Sequence, residues 1–290
     1  MEKITIYCEN DTKEYIFERG ATLKEVRDTI FPQGGAFLAA LVDNMLKELE
    51  YEVLASSSVR FIGYEHPDGR RTYVRSLCFV LQNAVSKMFP DKVLAIDYSL
   101  PSGLYCELRE QKSHPDGRPE IFFLTDEAIA SIKEKMDDMV AADLPFHKTK
   151  MTYEQASPYY EKKHQNEKIR LMKSLGRYSY STYILDGQVD TFYGPLVPST
   201  GCLTTFNLCG FNDGFCLQYP MLGQSDKVEK MKRQSKIATA LKSHSDWCAL
   251  MGIQGVGTLN DVVKHSRMTE LVNLCEALHE RKYAEIANKI

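Results

Sequence analysis

The stretch Arg75–Leu108, RSLCFVLQNAVSKMFPDKVLAIDYSLPSGLYCEL, carries the reading on which the fold turns. Leu77, Leu81, Ala84, Val85 and Met88 recur at helical spacing and mark one apolar face. Pro90 closes the helix, because its ring removes an amide donor and clashes with the turn before it. Val93 to Tyr98 and Leu104 to Leu108 then read as a strand pair, and Ile121 to Leu124 as a further strand. Thr125 caps a second helix: Asp126 and Glu127 in its first turn suit the helix dipole, and Ile129, Ile132, Met136, Met139 and Val140 form its inner face. From Tyr178 to Tyr219 the chain is rich in Tyr, Phe, Thr and Cys and broken by Asp186-Gly187, Gly194-Pro195, Gly210 and Asp213-Gly214, which predicts an antiparallel sheet. Together these elements predict an α+β domain over about residues 64–222.

Upstream, residues 1–63 read as a compact unit. Ile4, Ile6 and Cys8 alternate, Asn10-Asp11 offers a turn, and Tyr15 and Phe17 alternate again, as in a half-buried hairpin. Thr22-x-x-Glu25 is a capping box, and Leu23, Val26 and Ile30 follow at helical spacing, so a helix is expected from about 23 to 31. Short strands are expected at Phe37 to Val42, Met45 to Leu49 and Val59 to Ile62. Hairpin, helix, then strands is the order of a ubiquitin-like β-grasp. Pro67-Asp68-Gly69 reads as the turn that leads out of it. Downstream, residues 223–290 read as helical: Val228, Met231, Ile237 and Leu241 on one helix, a loop from Gly252 to Gly257, a short helix from Thr258, then Leu271, Leu274, Cys275 and Leu278 on the next. Helical spacing continues through Tyr283, Ile286 and Ile290 without a Gly or Asn cap, so the chain reads as one cut within a helix.

Composition narrows the function classes. The 290 residues carry a net charge of −3, with 43% hydrophobic and 26% charged side chains, which excludes a disordered or collagen-like chain. No run approaches the ~18 consecutive apolar residues of a spanning helix, and the N-terminus lacks the layout of a secretion signal, so a cytoplasmic protein without membrane contact is expected. Eight cysteines are spread without a C-x-x-C pair, which fits reduced thiols. Cys202, Cys209 and Cys216 recur at seven-residue steps, but no second ligand type stands close by, so they read as small apolar residues on strands.

Few residues carry a recognisable catalytic pattern. GIQGVG (Gly252–Gly257) has the wrong spacing for a phosphate-binding loop and lacks its lysine. H-E-x-x-H and G-x-S-x-G are absent, and the seven histidines are scattered in polar surroundings. His66-Pro-Asp-Gly-Arg70 recurs as His114-Pro-Asp-Gly-Arg118, which reads as two independent surface turns. Lys148 to Lys173 interleaves seven cations with Tyr153, Tyr159 and Tyr160, so Lys162, Lys163 and Arg170 are candidates for RNA contact; a solvated helix face gives the same pattern.

At Arg75–Leu108 the sequence resembles the start of the editing domain of threonyl-tRNA synthetase, where a helix opens with an H-x-x-x-H pair and a strand pair follows. VDTFYGPLVPS (Val189–Ser199) resembles that domain's VDMCRGPHVP segment, and residues 1–63 resemble the TGS module that precedes it. The resemblance covers about residues 1–222 in matching order. In that family the two histidines, the cysteine and the later histidine form a water-binding, metal-capable editing centre. Laid on this chain, the motifs put Ser76 and Val80 at the helix histidines, Phe192 at the cysteine and Leu196 at the last histidine. Val80, Phe192 and Leu196 can neither bind a metal nor move a proton. Asp190 and Tyr105 match the family pattern, and Cys78 lies one helical position from the centre. The resemblance thus implies a pocket lined by Ser76, Cys78, Val80, Tyr105, Asp190, Phe192 and Leu196, with no metal, no cofactor and no hydrolytic centre. Asp190 reads either as an acceptor of backbone amides at a turn or as a catalytic acid.

A second resemblance concerns the tail. Residues 246–290, DWCALMGIQGVGTLNDVVKHSRMTELVNLCEALHERKYAEIANKI, are similar to the segment that leads into the P-loop kinase of uridine-kinase-like bacterial proteins, which carry a TGS module and a degenerate synthetase-like domain ahead of it. That resemblance implies a non-catalytic N-terminal region that regulates the kinase or binds RNA or a small effector. The attached kinase domain would use ATP and magnesium on uridine, through residues outside this sequence. The alternatives are a free-standing hydrolase of mischarged tRNA, rebuilt around Asp190, Cys78 and Ser76, and an RNA-binding adaptor that uses Lys162 and Lys163.

Overall fold

In the computed structural model, residues 2–101, 103–113, 119–231, 235–253 and 255–290 are described. The N-terminal alternation forms β1 (Lys3–Cys8) and β2 (Lys13–Glu18), antiparallel, with Ile4, Ile6 and Cys8 buried on one side of β1 because successive side chains point to opposite faces. α1 (Leu23–Ile30) starts at the capping box: the Glu25 amide donates to the Thr22 hydroxyl at 3.2 Å, and the Thr22 amide donates to the Glu25 carboxylate at 2.8 Å. β3 (Phe37–Val42), β4 (Met45–Lys47) and β5 (Ser57–Gly63) complete a five-stranded sheet of order β2-β1-β5-β3-β4, in which β1 and β5 run parallel and the other pairs antiparallel. This is the β-grasp arrangement, and Leu23 and Val26 of α1 are buried in its core.

α2 (Pro67–Met88) starts earlier than the apolar stripe suggested. Pro67-Asp68-Gly69, expected as a free turn, is its first turn. Proline suits that place because the amide it lacks has no helical partner there, and the Asp68 amide is satisfied by His66 Nδ1 at 3.2 Å. Gly69 is dictated by close approach: a Cβ would stand 1.9 Å from the Gly63 carbonyl oxygen. Leu77, Leu81 and Val85 bury on one face of α2 and Phe79 on another, and the helix packs on β3, β5 and α3. Each such large side chain contributes about 1.5–3 kcal/mol of hydrophobic stabilisation.

β6 (Val93–Leu100) and β7 (Gly103–Ser113) form the expected hairpin, with a register shift between Ile96 and Tyr98. β8 (Pro119–Phe122) pairs with β7. α3 (Asp126–Ala141) starts at Thr125, whose hydroxyl accepts the Ala128 amide, and buries Ile129, Ile132, Met136 and Met139. The region from Tyr178 to Tyr219, expected as one sheet, is shared between two. β10 (Tyr180–Leu185) and β11 (Gln188–Thr191) join β9 (His147–Met151), whereas β12 (Asn207–Phe211) and β13 (Gly214–Gln218) extend the order β12-β13-β7-β6. The division falls at a short 3-10 turn, Thr200–Cys202. There the Thr200 hydroxyl donates to the Met139 carbonyl at 2.5 Å and accepts the Leu144 amide at 2.8 Å, which fastens the chain to the end of α3 and takes it off the sheet.

The chain divides into two compact units, one of residues 1–109, 121–150 and 181–233, the other of 110–120, 151–180 and 234–290. In the second, α4 (Tyr153–Lys162) starts at a Thr152–Gln155 capping box, and α4 and α5 (Asn166–Leu175) bury Ala156, Tyr160 and Met172 with Tyr180. The helix expected from Val228 is corrected: α6 spans Ser235–Leu250. α7 (Val256–Lys264) begins two residues before Thr258, whose hydroxyl accepts the Gly255 amide and so caps the helix from inside. α8 (Met268–Ala287) ends at Asn288, a C-cap where none was expected. The His114–Arg118 copy of the repeat lies outside the described residues. Among the described residues, no helix is long and apolar enough to cross a membrane.

Candidate functional site

After β11 the chain lies against α2 and is held by three kinds of contact. Ser76, fully buried, donates to the Thr72 carbonyl at 2.8 Å and accepts the Val197 amide at 2.9 Å. Arg75 Nη1 donates to the Pro195 carbonyl at 2.6 Å, and its guanidinium lies against the bare face of Gly194, where a Cβ would come within 2.7 Å. The third contact is aromatic: the rings of Phe79 and Phe192 are 5.1 Å apart, with Tyr183 and Phe146 beside them. Val80 and Leu196 are buried in the same core. The residues of α2 that meet Phe192 and Pro195 are therefore Arg75 and Phe79, one position before the Ser76 and Val80 to which the motifs pointed. One residue turns a helix face by about 100°, and the i, i+4 pair that opens the quoted stretch was the available signal.

The other expected members are placed separately. Asp190, buried on β11, accepts the Thr191 amide at 2.6 Å through Oδ1. Tyr105 stands on β7, stacked on Tyr98 at 4.7 Å, and donates to Glu107 at 3.1 Å. Burial and the Glu107 charge push its hydroxyl well above the ordinary range. Glu107 in turn takes Arg109, which also reaches Asp97 at 2.6 Å, so Tyr105 belongs to an ionic network on the β6–β7 hairpin. Loss of solvation against the core pushes the Cys78 thiol up to about 12, with Arg75 acting weakly in the other direction. Cys78 thus keeps its proton at neutral pH, and the Ser76 hydroxyl is committed as both donor and acceptor, so neither is an activated nucleophile. Among the described residues, no three His, Cys, Asp or Glu side chains are grouped so as to hold a metal ion.

A different feature of α2 is open. A cavity of about 450 Å³ lies along its first turns, bordered by Arg70, Arg71 and Arg75 and by Leu104, Tyr219 and Leu222. None of the seven residues expected to line a pocket borders it. The sequence signal was available in the run Arg70-Arg71-x-x-x-Arg75, which places three cations on neighbouring positions of one helix.

The candidate RNA contacts all fall in the second unit. Lys162 is exposed at the end of α4, and Lys163 is its C-cap. Arg170 is half-exposed on α5, 3.8 Å from Asp261 of α7. Lys168 lies over the Tyr160 ring at 5.5 Å, so part of the basic stretch is engaged within its own unit.

No family model matches the chain. Threonine–tRNA ligases are similar to it. The enzyme of Desulforamulus reducens is 28% identical over 211 residues, 72% of this chain and 31% of that protein. That of Carboxydothermus hydrogenoformans is 26% identical over 201 residues, 69% and 30% of the two chains. That of Acetivibrio thermocellus is 25% identical over 210 residues, 72% and 31%. The chain spans less than a third of the length of these relatives. The similarity supports the resemblance to the synthetase's TGS and editing domains, and with it the α+β fold.

Proposed function

We propose that this chain is an RNA-binding module related to threonine–tRNA ligase, which holds a tRNA or part of one without hydrolysing its ester. The observation that carries the reading is the contact of Phe79 with Phe192 beside the buried Leu196. Carbon stands at Phe79, Phe192 and Leu196, three of the four places where the resembling editing domain needs imidazoles and a thiolate, and Arg75 stands at the fourth, in a chain whose matched relatives are named for acting on tRNA. Apolar rings cannot activate water, whereas the scaffold around them is kept. The rebuilt hydrolase is disfavoured by the hydrogen bonds that engage Ser76 and by the protonated Cys78. The uridine-kinase reading, with its ATP, magnesium and attached domain, rests on the resemblance of residues 246–290 alone, and the matched ligases favour the RNA reading over it. A cytoplasmic location accompanies either reading.

The test is a gel shift of threonine tRNA with the full chain. Saturable binding that weakens steeply between about 50 and 200 mM salt is expected, because each phosphate contact releases counterions. Lys162→Glu with Lys163→Glu is expected to weaken it by about tenfold or more. Failure to retain the tRNA at low salt would sink the RNA reading.

A further inference from the structure

The cavity along α2 combines three cations with an apolar wall, and neither the tRNA reading nor the filled centre around Phe192 accounts for it. Arg70 and Arg75 are half-buried, and among the described residues neither forms an ion pair with a carboxylate. Arg71 pairs with Asp68 at 2.8 Å. The remaining acid in this neighbourhood, Glu65, is engaged by the Gly223 amide at 2.9 Å. Arg70 lies over the Tyr219 ring at 5.3 Å and its side chain meets the Tyr64 hydroxyl, while its buried Nε has no hydrogen-bond partner among the described residues. The nearby Tyr64 hydroxyl donates to the Pro220 carbonyl at 2.5 Å. Arg75 gives one N–H to the Pro195 carbonyl, and desolvation lowers its pKa. Burying guanidinium groups without an anion is unfavourable, so an arrangement that keeps them beside an open cavity is one completed by a bound anion.

We infer that this cavity binds a small phosphate monoester of the nucleoside monophosphate class, with the phosphate among Arg70, Arg71 and Arg75 and the base along the Leu104–Leu222 wall. Three cations against the two carboxylates of Asp68 and Glu65 leave one net positive charge, which either kind of phosphate can meet; a terminal phosphate, however, offers three free oxygens to the three arginines and an internal phosphodiester only two, so a monoester fits the cluster better. The size of the cavity, within the range of small-molecule sites, also suits one nucleotide. This site does not depend on the tRNA reading.

Isothermal titration calorimetry of the full chain with adenosine and uridine monophosphates tests it, with the two nucleosides and inorganic phosphate as parallel arms. Saturable binding of the monophosphates is expected, weaker by about tenfold or more for nucleoside or phosphate alone, and weakened by salt. Arg70→Gln and Arg75→Gln are each expected to weaken binding about tenfold, the loss of one charge-assisted contact. Arg71→Gln, at an exposed position, is expected to weaken it without altering the thermal unfolding curve. Arg70→Lys keeps the charge, removes the planar fork and is expected to fall between. Absence of saturable heat with either monophosphate at millimolar concentration would overturn the proposal. So would affinity unchanged in Arg70→Gln and Arg71→Gln, inorganic phosphate binding as tightly as the nucleotides, or arginine variants that lose tRNA binding while monophosphates give no signal.

Discussion

Ser76 occupies a position where a hydroxyl reads as either nucleophile or anchor, and its two hydrogen bonds decide for the anchor. Its acceptor bond to the Val197 amide joins α2 to a segment 121 residues away. Ser76→Ala removes the acceptor without adding bulk to a fully buried position, which leaves a buried amide without a partner. The expected loss is about 1–3 kcal/mol, read from urea unfolding, whereas a nucleophile's replacement would leave stability unchanged. Cysteine chemistry gives a second residue-scale prediction. The Cys209 thiol is lowered because Cys216, its cross-strand partner, donates to it, while Cys78 is raised to about 12 by desolvation. At about pH 8, iodoacetamide should label Cys209 before Cys78 in peptide mapping; the reverse order would contradict the packing described for Cys78. A thiol raised in the folded state stabilises fully below its ordinary value and loses that contribution as pH rises through the folded one. The stability that Cys78 adds should therefore decline between about pH 9 and about 12, and Cys78→Ala should flatten that part of the alkaline unfolding curve. What the sequence left open at this scale was helix phase. The motif Val189–Ser199 was legible, but which residues of α2 face it depends on a register that one position changes, and the contacts of Arg75 with Pro195, Ser76 with Val197 and Phe79 with Phe192 fix it.

Among the elements, the capping chemistry was the most legible. Thr22 with Glu25 and Thr125 with its acidic first turn start α1 and α3 where the residues say they should, because orphan amides at a helix start are satisfied locally. The start of α2 was not legible, since Pro-Asp-Gly has the same signature in a turn and in a first helical turn; what separates them is a tertiary contact, the approach of Gly69 to the Gly63 carbonyl. Gly69→Ala is therefore expected to destabilise the chain by about 1–3 kcal/mol despite alanine's better helix propensity, as measured by thermal unfolding. A stabilising Gly69→Ala would contradict that packing. α4 and α5 were hidden for a different reason: Pro158 sits inside α4, and basic residues dilute the apolar stripe that buries Tyr160 and Met172. β9, HKTKM, lacks the apolar alternation that marks a strand and gains its order from pairing with β10.

At the scale of the whole molecule, the chain keeps a scaffold and changes what the scaffold presents. The β-grasp sheet, α2 and the hairpin after it follow the order of the resembling synthetase domains, and similarity to threonine–tRNA ligases extends over about seven-tenths of the chain. Inside that scaffold, Phe79, Phe192 and Leu196 pack as hydrophobic core, which on the proposed reading fills the place where the resembling domain has its chemistry, while the first turns of α2 gather three arginines beside an open cavity. Both changes were written in the sequence. The first was visible in part through the family motif, which pointed to Phe192 and Leu196 but to Val80 in place of Phe79; the second was not, because three arginines on a helix look like a solvated face until Tyr219 and Leu222 are brought alongside. The central claim, that the chain holds RNA without cleaving its ester, is tested most directly by the rate of ester loss from serine-charged threonine tRNA at saturating protein. The account predicts the spontaneous rate, unchanged by Asp190→Ala. Accelerated hydrolysis that Asp190→Ala abolishes would contradict it.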